Sequence, residues 1–207
     1  MIPELNSKDL DIDSVAGIAA TDEALVSEML DGLESVNETY RYNCFKVLLL
    51  VSEEHGEVLY PRWERFAKLL SSGNTYHRLS ALQIIANLTR VDTESRFEGI
   101  FDCYFGLLDD RSVIPAAHVA RAAGRIATAK PELEPRITGR LLSIDRTHHD
   151  PDRRHLIKGY ALEAFAEYFE AAADRDRIVD FAREQLDGAS PRTRKTARAL
   201  LKEWGRL

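Results

Sequence analysis

Residues 107–128 read LLDDRSVIPAAHVARAAGRIAT, and this stretch decides the fold. Two leucines close one helical pattern, Asp109-Asp110-Arg111-Ser112 form a polar turn, and an alanine-rich pattern begins near Pro115. Acid and hydroxyl side chains compete for backbone hydrogen bonds, so they favour turns and helix starts over helix interiors. A proline early in a helix is tolerated, because the N–H it lacks would have no partner there. The stretch therefore predicts a helix, a tight turn and a second helix.

The same pattern extends outward in both directions. Leu33, Leu70, Leu108, Ile144 and Leu186 each end a helical stretch, at spacings of 37, 38, 36 and 42 residues. Seven residues before each of these anchors stand Val26, Trp63, Phe101, Ile137 and Val179, two helical turns away and so on the same face. Eleven, fifteen and eighteen residues after the anchor come Cys44, Leu48 and Val51; Ala81, Ile85 and Leu88; Val119, Ala123 and Ile126; and Ala197, Leu201 and Trp204. The fourth unit joins the grid as Ala161, Phe165 and Tyr168 if it carries six extra residues. Offsets of four and seven define one apolar stripe on each second helix, and Trp204 is expected to lie buried in it. Ser71-Ser72-Gly73-Asn74 and Asp187-Gly188-Ala189-Ser190 supply the turns, and Asp150-Pro151 and Ser190-Pro191 place a capping side chain before a proline. No sustained alternation argues for a strand.

These residues predict repeats of a helix A and a helix B at about 22–56, 57–92, 93–130, 131–172 and 173–207, forming a single domain over 22–207. Such a unit cannot bury its stripe alone, so neighbours stack and share one core. Residues 1–21 form a tail or cap, in which DLDIDSV suits a short covering helix, a free tail or a binding motif. The segments LLSSGNTYHRLSALQIIANL, LLDDRSVIPAAHVARAAGRIA and LDGASPRTRKTARALLKEW resemble HEAT repeats, particularly those of the phycobilisome-lyase-like group. That resemblance covers about residues 22–205 and implies an all-α, right-handed α-solenoid of about five two-helix HEAT-like repeats, with the B helices lining the concave side. It also implies an acid after the anchor and a cation opening helix B, a column filled here by Arg41, Arg78, Lys158 and Arg194, with Ala116 as the departure. In the family such cations tie turn carboxylates of neighbouring repeats together.

At 207 residues, 44% hydrophobic and 30% charged, the chain has material for a substantial core and lacks the composition of a disordered segment. No apolar run approaches the ~20 residues that span a bilayer. The acidic opening MIPELNSKDLDID does not read as an export signal, and Cys44 and Cys103 alone make no disulfide framework, so a cytoplasmic setting is expected. Residues 1–110 carry 9 Lys and Arg against 20 Asp and Glu, whereas residues 111–207 carry 19 against 14. An acidic half favours a basic partner and a basic half an acidic one. Opposite ends could also drive weak head-to-tail self-association of an otherwise monomeric chain.

Three groups of residues are candidates for function. The helix-B cations form a structural ladder or, with Arg121, a ligand-facing set. The inserted turn Thr147-His148-His149-Asp150-Pro151-Asp152-Arg153-Arg154-His155 offers His148, His149, Asp152 and His155 as metal ligands, yet adjacent histidines rarely converge on one ion and Asp150 suits an N-cap, so a protruding polar turn is the expected form. Arg194, Arg198 and Lys202 recur every four residues along the last helix, as a solvated face or as a stripe for phosphate or an acidic segment. In the third repeat, Ala116, Ala117, Ala120 and Ala123 either permit close helix packing or leave a shallow apolar groove. No phosphate-cradling glycine motif, nucleophile elbow, HExxH or paired-cysteine motif occurs, so neither a cofactor nor catalysis is expected. The reading is a non-catalytic protein-interaction scaffold with a protein partner on the helix-B surface. The alternative is nucleic-acid binding or HEAT-like glycosylase-type DNA repair through the basic C-terminal repeats, and a chaperone or lyase-like role follows only from the resemblance.

Overall fold

A computed structural model of the chain describes residues 5–207; residues 1–4, part of the predicted tail or cap, lie outside the described residues. Helices and short 3-10 turns carry the fold, and no strand occurs among the described residues. In chain order, α1 (Ile12–Ala19) is followed by α2 (Glu23–Gly32) and α3 (Glu38–Glu54), then α4 (Gly56–Leu59), α5 (Trp63–Leu69) and α6 (Thr75–Leu88). Next come α7 (Arg96–Gly106) and α8 (Val113–Ala129), α9 (Glu134–Leu141) and α10 (Pro151–Tyr168), and α11 (Arg175–Glu184) and α12 (Pro191–Glu203). Helices α3, α6, α8, α10 and α12 are the B helices. Two compact units are distinguished, one ending at Phe97 and one beginning at Glu98.

In the first unit the apolar grid is the core: Val26, Leu33, Cys44, Leu48, Val51, Trp63, Leu70, Ala81, Ile85 and Leu88 are all buried. Asn37 and Asn74 cap α3 and α6, their side chains accepting from the backbone N–H of Tyr40 and Tyr76. Of the three forms open to DLDIDSV, the structure shows a short helix, α1, capped by Asp11 and packed on α3. Ahead of it the chain is pinned by Asn43, whose amide donates to the carbonyls of Leu5 (2.9 Å) and Ser7 (2.7 Å). Gly32 in α2 admits α3 closely, since a Cβ there would lie 2.4 Å from the Cys44 sulfur.

The second unit uses the same logic with tighter contacts between B helices. Ser112, Asp150 and Ser190 cap α8, α10 and α12, so both capping side chains before prolines act as read. A Cβ on Gly124 of α8 would lie 2.7 Å from the Ala164 carbonyl oxygen of α10, and one on Gly159 of α10 would lie 2.7 Å from the Thr193 hydroxyl of α12. That hydroxyl donates to the His155 carbonyl at 3.1 Å. Ala116, Ala117, Ala120 and Ala123 are buried, so the small side chains of α8 serve packing and leave no open groove. Trp204 differs from expectation: it is half-buried and stacks face-on against Phe169, with ring centroids 4.0 Å apart. Leu186 is likewise half-buried.

Side-chain bonds run from one repeat to the next at nearly the repeat length. Arg62 meets Glu23 across 39 residues, Arg140 meets Asp102 across 38, and the backbone N–H of Ala173 donates to buried Glu134 across 39.

Candidate functional site

The helix-B cations reach back to the turns before their own helices. A guanidinium N–H of Arg41 donates to the Ser35 carbonyl at 2.7 Å, Arg78 to Ser72 at 2.7 Å, and Arg194 to Gly188 at 2.6 Å, each reaching back six residues to the turn before helix B. The insertion before α10 stretches this geometry, and two residues share the task. Arg154 takes the Asp145 carbonyl at 2.7 Å and the Lys158 ammonium takes the Asp145 carboxylate at 2.7 Å. Arg78 is 5% exposed and Lys158 6%, so both lie buried against these turns. Each of the Arg41, Arg78 and Arg194 bonds reaches the carbonyl end of the preceding turn, where partial negative charge collects. Of the ligand-facing candidates, Arg121, Arg198 and Lys202 face solvent. Arg121 lies near enough to Glu167 and His118 to act on both electrostatically.

The helix-B surface of the first unit carries a cleft of about 510 Å³. Its walls come from the segment around Lys8–Ile12 and from α3 and α6. Tyr42 and Tyr76 stand in it 59% and 60% exposed. Each ring lies beneath a cation: the Lys46 ammonium 5.5 Å from the Tyr42 centroid, and the Arg41 guanidinium 5.3 Å from that of Tyr76. Lys8, Arg41 and Lys46 line the cleft against one acid, Glu38. Local charge thus runs opposite to the net charge of the acidic half. The sequence reading missed both tyrosines. A signal for Tyr76 was present: six residues after the anchor, where helix B opens, stand Tyr76 and Ile114, and Leu156 once the insertion is counted, all exposed and apolar.

On α12, Arg194, Lys195, Arg198 and Lys202 line a shallow hollow of about 430 Å³ that no acid enters. Arg192 is drawn aside to Glu163 at 2.8 Å.

The inserted turn gathers differently from expectation. The backbone N–H of His148 donates to Oδ1 of Asp109 at 2.7 Å, and its ring Nδ1 lies 2.6 Å from the same oxygen. His149 turns inward to 2% exposure, its ring 4.4 Å from that of His148. Neither of its ring nitrogens has a hydrogen-bond partner, although the Leu108 backbone lies close enough to favour the charged form slightly. Burial, and then the neighbouring His148, hold the His149 imidazole below the usual histidine range, keeping it neutral. The His148 backbone N–H, more than its ring, holds the Asp109 carboxyl below the usual carboxylate range. Asp109, His148 and His149 each place one ligand atom within 4.8 Å of the others, whereas Asp152 and His155 take no part. His155 instead packs against Gly188, and Asp152 stays exposed in the first turn of α10.

Cys44 is buried, and desolvation pushes its thiol up to about 12, which removes it as a nucleophile.

No family model matches the chain, and no curated protein matches it. Solved structures do. A designed armadillo repeat protein superposes with a TM-score of 0.60 at 17% identity, covering 96% of this chain and 95% of that one. A second, solved in complex with the peptide (KR)4, gives 0.60 at 16% identity over 96% and 95%. A computationally designed armadillo repeat protein for modular peptide recognition gives 0.58 at 16% identity over 92% and 90%. Helix pairs that stack their apolar stripes, recur every 36 to 42 residues and superpose on such proteins identify the chain, by fold, as an all-α solenoid of armadillo/HEAT-type repeats.

Proposed function

We propose that the protein is a non-catalytic scaffold that holds an extended, acid-bearing peptide segment of a protein partner in the cleft of the first unit. The observation carrying this reading is the pair of exposed tyrosines, each beneath a cation, in a cleft where three cations meet one acid. Tyrosine supplies a large rigid contact area at low entropic cost, and cations beside it select carboxylates. One structural neighbour is solved with the basic peptide (KR)4; the cleft here has the opposite preference. Panning a random peptide display library on the protein tests this. Acid-rich sequences that lose binding in Tyr42→Ala and Tyr76→Ala support it; basic sequences, or binding indifferent to both substitutions, defeat it.

A second reading rests on α12, whose four cations line an acid-free hollow suited to polyanions. Phosphate binding there must weaken steeply with salt. Titration with duplex and single-stranded DNA at two salt concentrations decides the matter, with Arg198→Ala and Lys202→Ala expected to reduce both affinity and salt slope.

A further inference from the structure

We infer that Asp109, His148 and His149 form a binding site for a late first-row divalent cation, with zinc as the representative ion. The inference is independent of the peptide-binding reading and uses residues of the second unit alone. Two separate observations carry it. One carboxylate oxygen and two imidazole nitrogens converge within 4.8 Å of one another from turns that are a repeat apart in sequence. In addition, His149 is almost fully buried and neither ring nitrogen makes a regular hydrogen bond; the Leu108 backbone approaches the ring, but the imidazole lone pair is held in this turn with no donor to satisfy it. A buried polar group without a partner is uncommon in folded proteins and points to an unaccounted water or ion.

The chemistry of the donors selects the ion. Neutral imidazole and carboxylate suit zinc and its neighbours, whereas calcium and magnesium take oxygen alone. Tetrahedral ligation at about 2.0–2.1 Å places ligand atoms roughly 3.4 Å apart. The Asp109–His148 pair at 2.6 Å must therefore open by less than an ångström, and both side chains are about half exposed and free to do so. Ligation through Nδ1 of a neutral His148 requires the tautomer that carries the ring proton on Nε2, so the cation takes the place of the N–H that faces Asp109. Oδ2 of Asp109 has no protein partner in the present arrangement and can remain turned to solvent. Three protein ligands leave a coordination position for water or for a group from a partner. Adjacent histidines converge here because His148 folds back on Asp109 while His149 turns into the interior, with their rings tilted 36° to one another.

The test uses the full chain without a histidine tag, stripped of metal by chelator and titrated with zinc by calorimetry and with cobalt(II) by visible absorption. Expected are one ion per chain and a cobalt spectrum of nitrogen and oxygen ligation without thiolate charge-transfer bands. Asp109→Asn and His148→Ala, both at exposed positions, should each weaken zinc binding by at least about 10-fold, as should His149→Gln where it folds. Asp152→Asn and His155→Gln should leave binding unchanged, and so should Cys103→Ser, which controls for the exposed thiol. Absence of stoichiometric binding, or binding equal to the parent in both Asp109→Asn and His148→Ala, overturns the site.

Discussion

The two units use glycine for different purposes, and their B-helix surfaces differ as a result. In the first unit the closest approach relieved by glycine, at Gly32, lies between helices A and B of one repeat. In the second, Gly124 and Gly159 relieve approaches between successive B helices. Where B helices α10 and α12 are pinched together at Gly159 and Thr193, only about 20 Å³ of open space remains between them. Where the tight contact lies elsewhere, α3 and α6 keep a cleft with exposed tyrosines between them and the segment ahead of α1. One repeat plan thus leaves an open cleft or a tight seam beside its B helices according to where its smallest residues fall.

The largest effect that breaks this contrast is Gly124→Val. The Cβ meets a backbone oxygen that cannot swing away, so overpacking should cost about 1–3 kcal/mol. For a chain of this size each kcal/mol lowers Tm by roughly 2–4 °C, which calorimetry or denaturant unfolding reads directly; an unchanged Tm would mean that α8 and α10 are not pinched. Next come Tyr42→Ala and Tyr76→Ala. Both side chains are mostly exposed, so stability should hardly change, while affinity for a selected acidic peptide should fall about 10-fold or more, as at other aromatic hot spots.

The third effect concerns acid. His149 has its folded-state pKa depressed by burial, so it is neutral in the folded protein while the unfolded chain takes up a proton below about 6.5. Its contribution to stability is therefore present above that pH and is lost as pH falls beneath it, at up to about 1.4 kcal/mol per pH unit for one proton. Half-buried His118 has the same sign. The His149 share is the difference between the parent and His149→Gln, measured in chelator from pH 7.5 to 5. Parallel curves would refute it. The smallest effect has the opposite sign. Nothing lies within 4 Å of a Cβ added to Gly139, within α9, so Gly139→Ala should stabilise by about 0.4–1 kcal/mol, in contrast to Gly124→Val.

The repeat grid was legible because burial in a stacked array depends on helical period and repeat length, and both are written in the apolar positions. The capping side chains before Pro151 and Pro191 were legible for the same local reasons, whereas the sequence of the N-terminal segment stays open between a helix, a tail and a motif. What escaped reading depends on neighbours. The exposure of Tyr42 and Tyr76 is decided by how α3 and α6 sit beside the segment ahead of α1, which no periodicity records. The His148–His149 pair read as divergent because adjacent side chains were weighed alone. Their third member, Asp109, stands 39 residues upstream of His148. Adding one repeat length to each turn residue would have brought the two together, since Arg62–Glu23 and Arg140–Asp102 obey the same interval.

That interval also sets how far damage travels. The bonds between repeats described above link a residue to the adjoining repeat and none leaps two, so each repeat senses its neighbours alone, as in a one-dimensional chain of coupled elements. Within the second unit, a lesion in α12 should then loosen α10 and α11 first and reach α7 and α8 last. Hydrogen exchange in such a variant should decay along the sequence like a ripple, one repeat at a time, instead of melting every helix together.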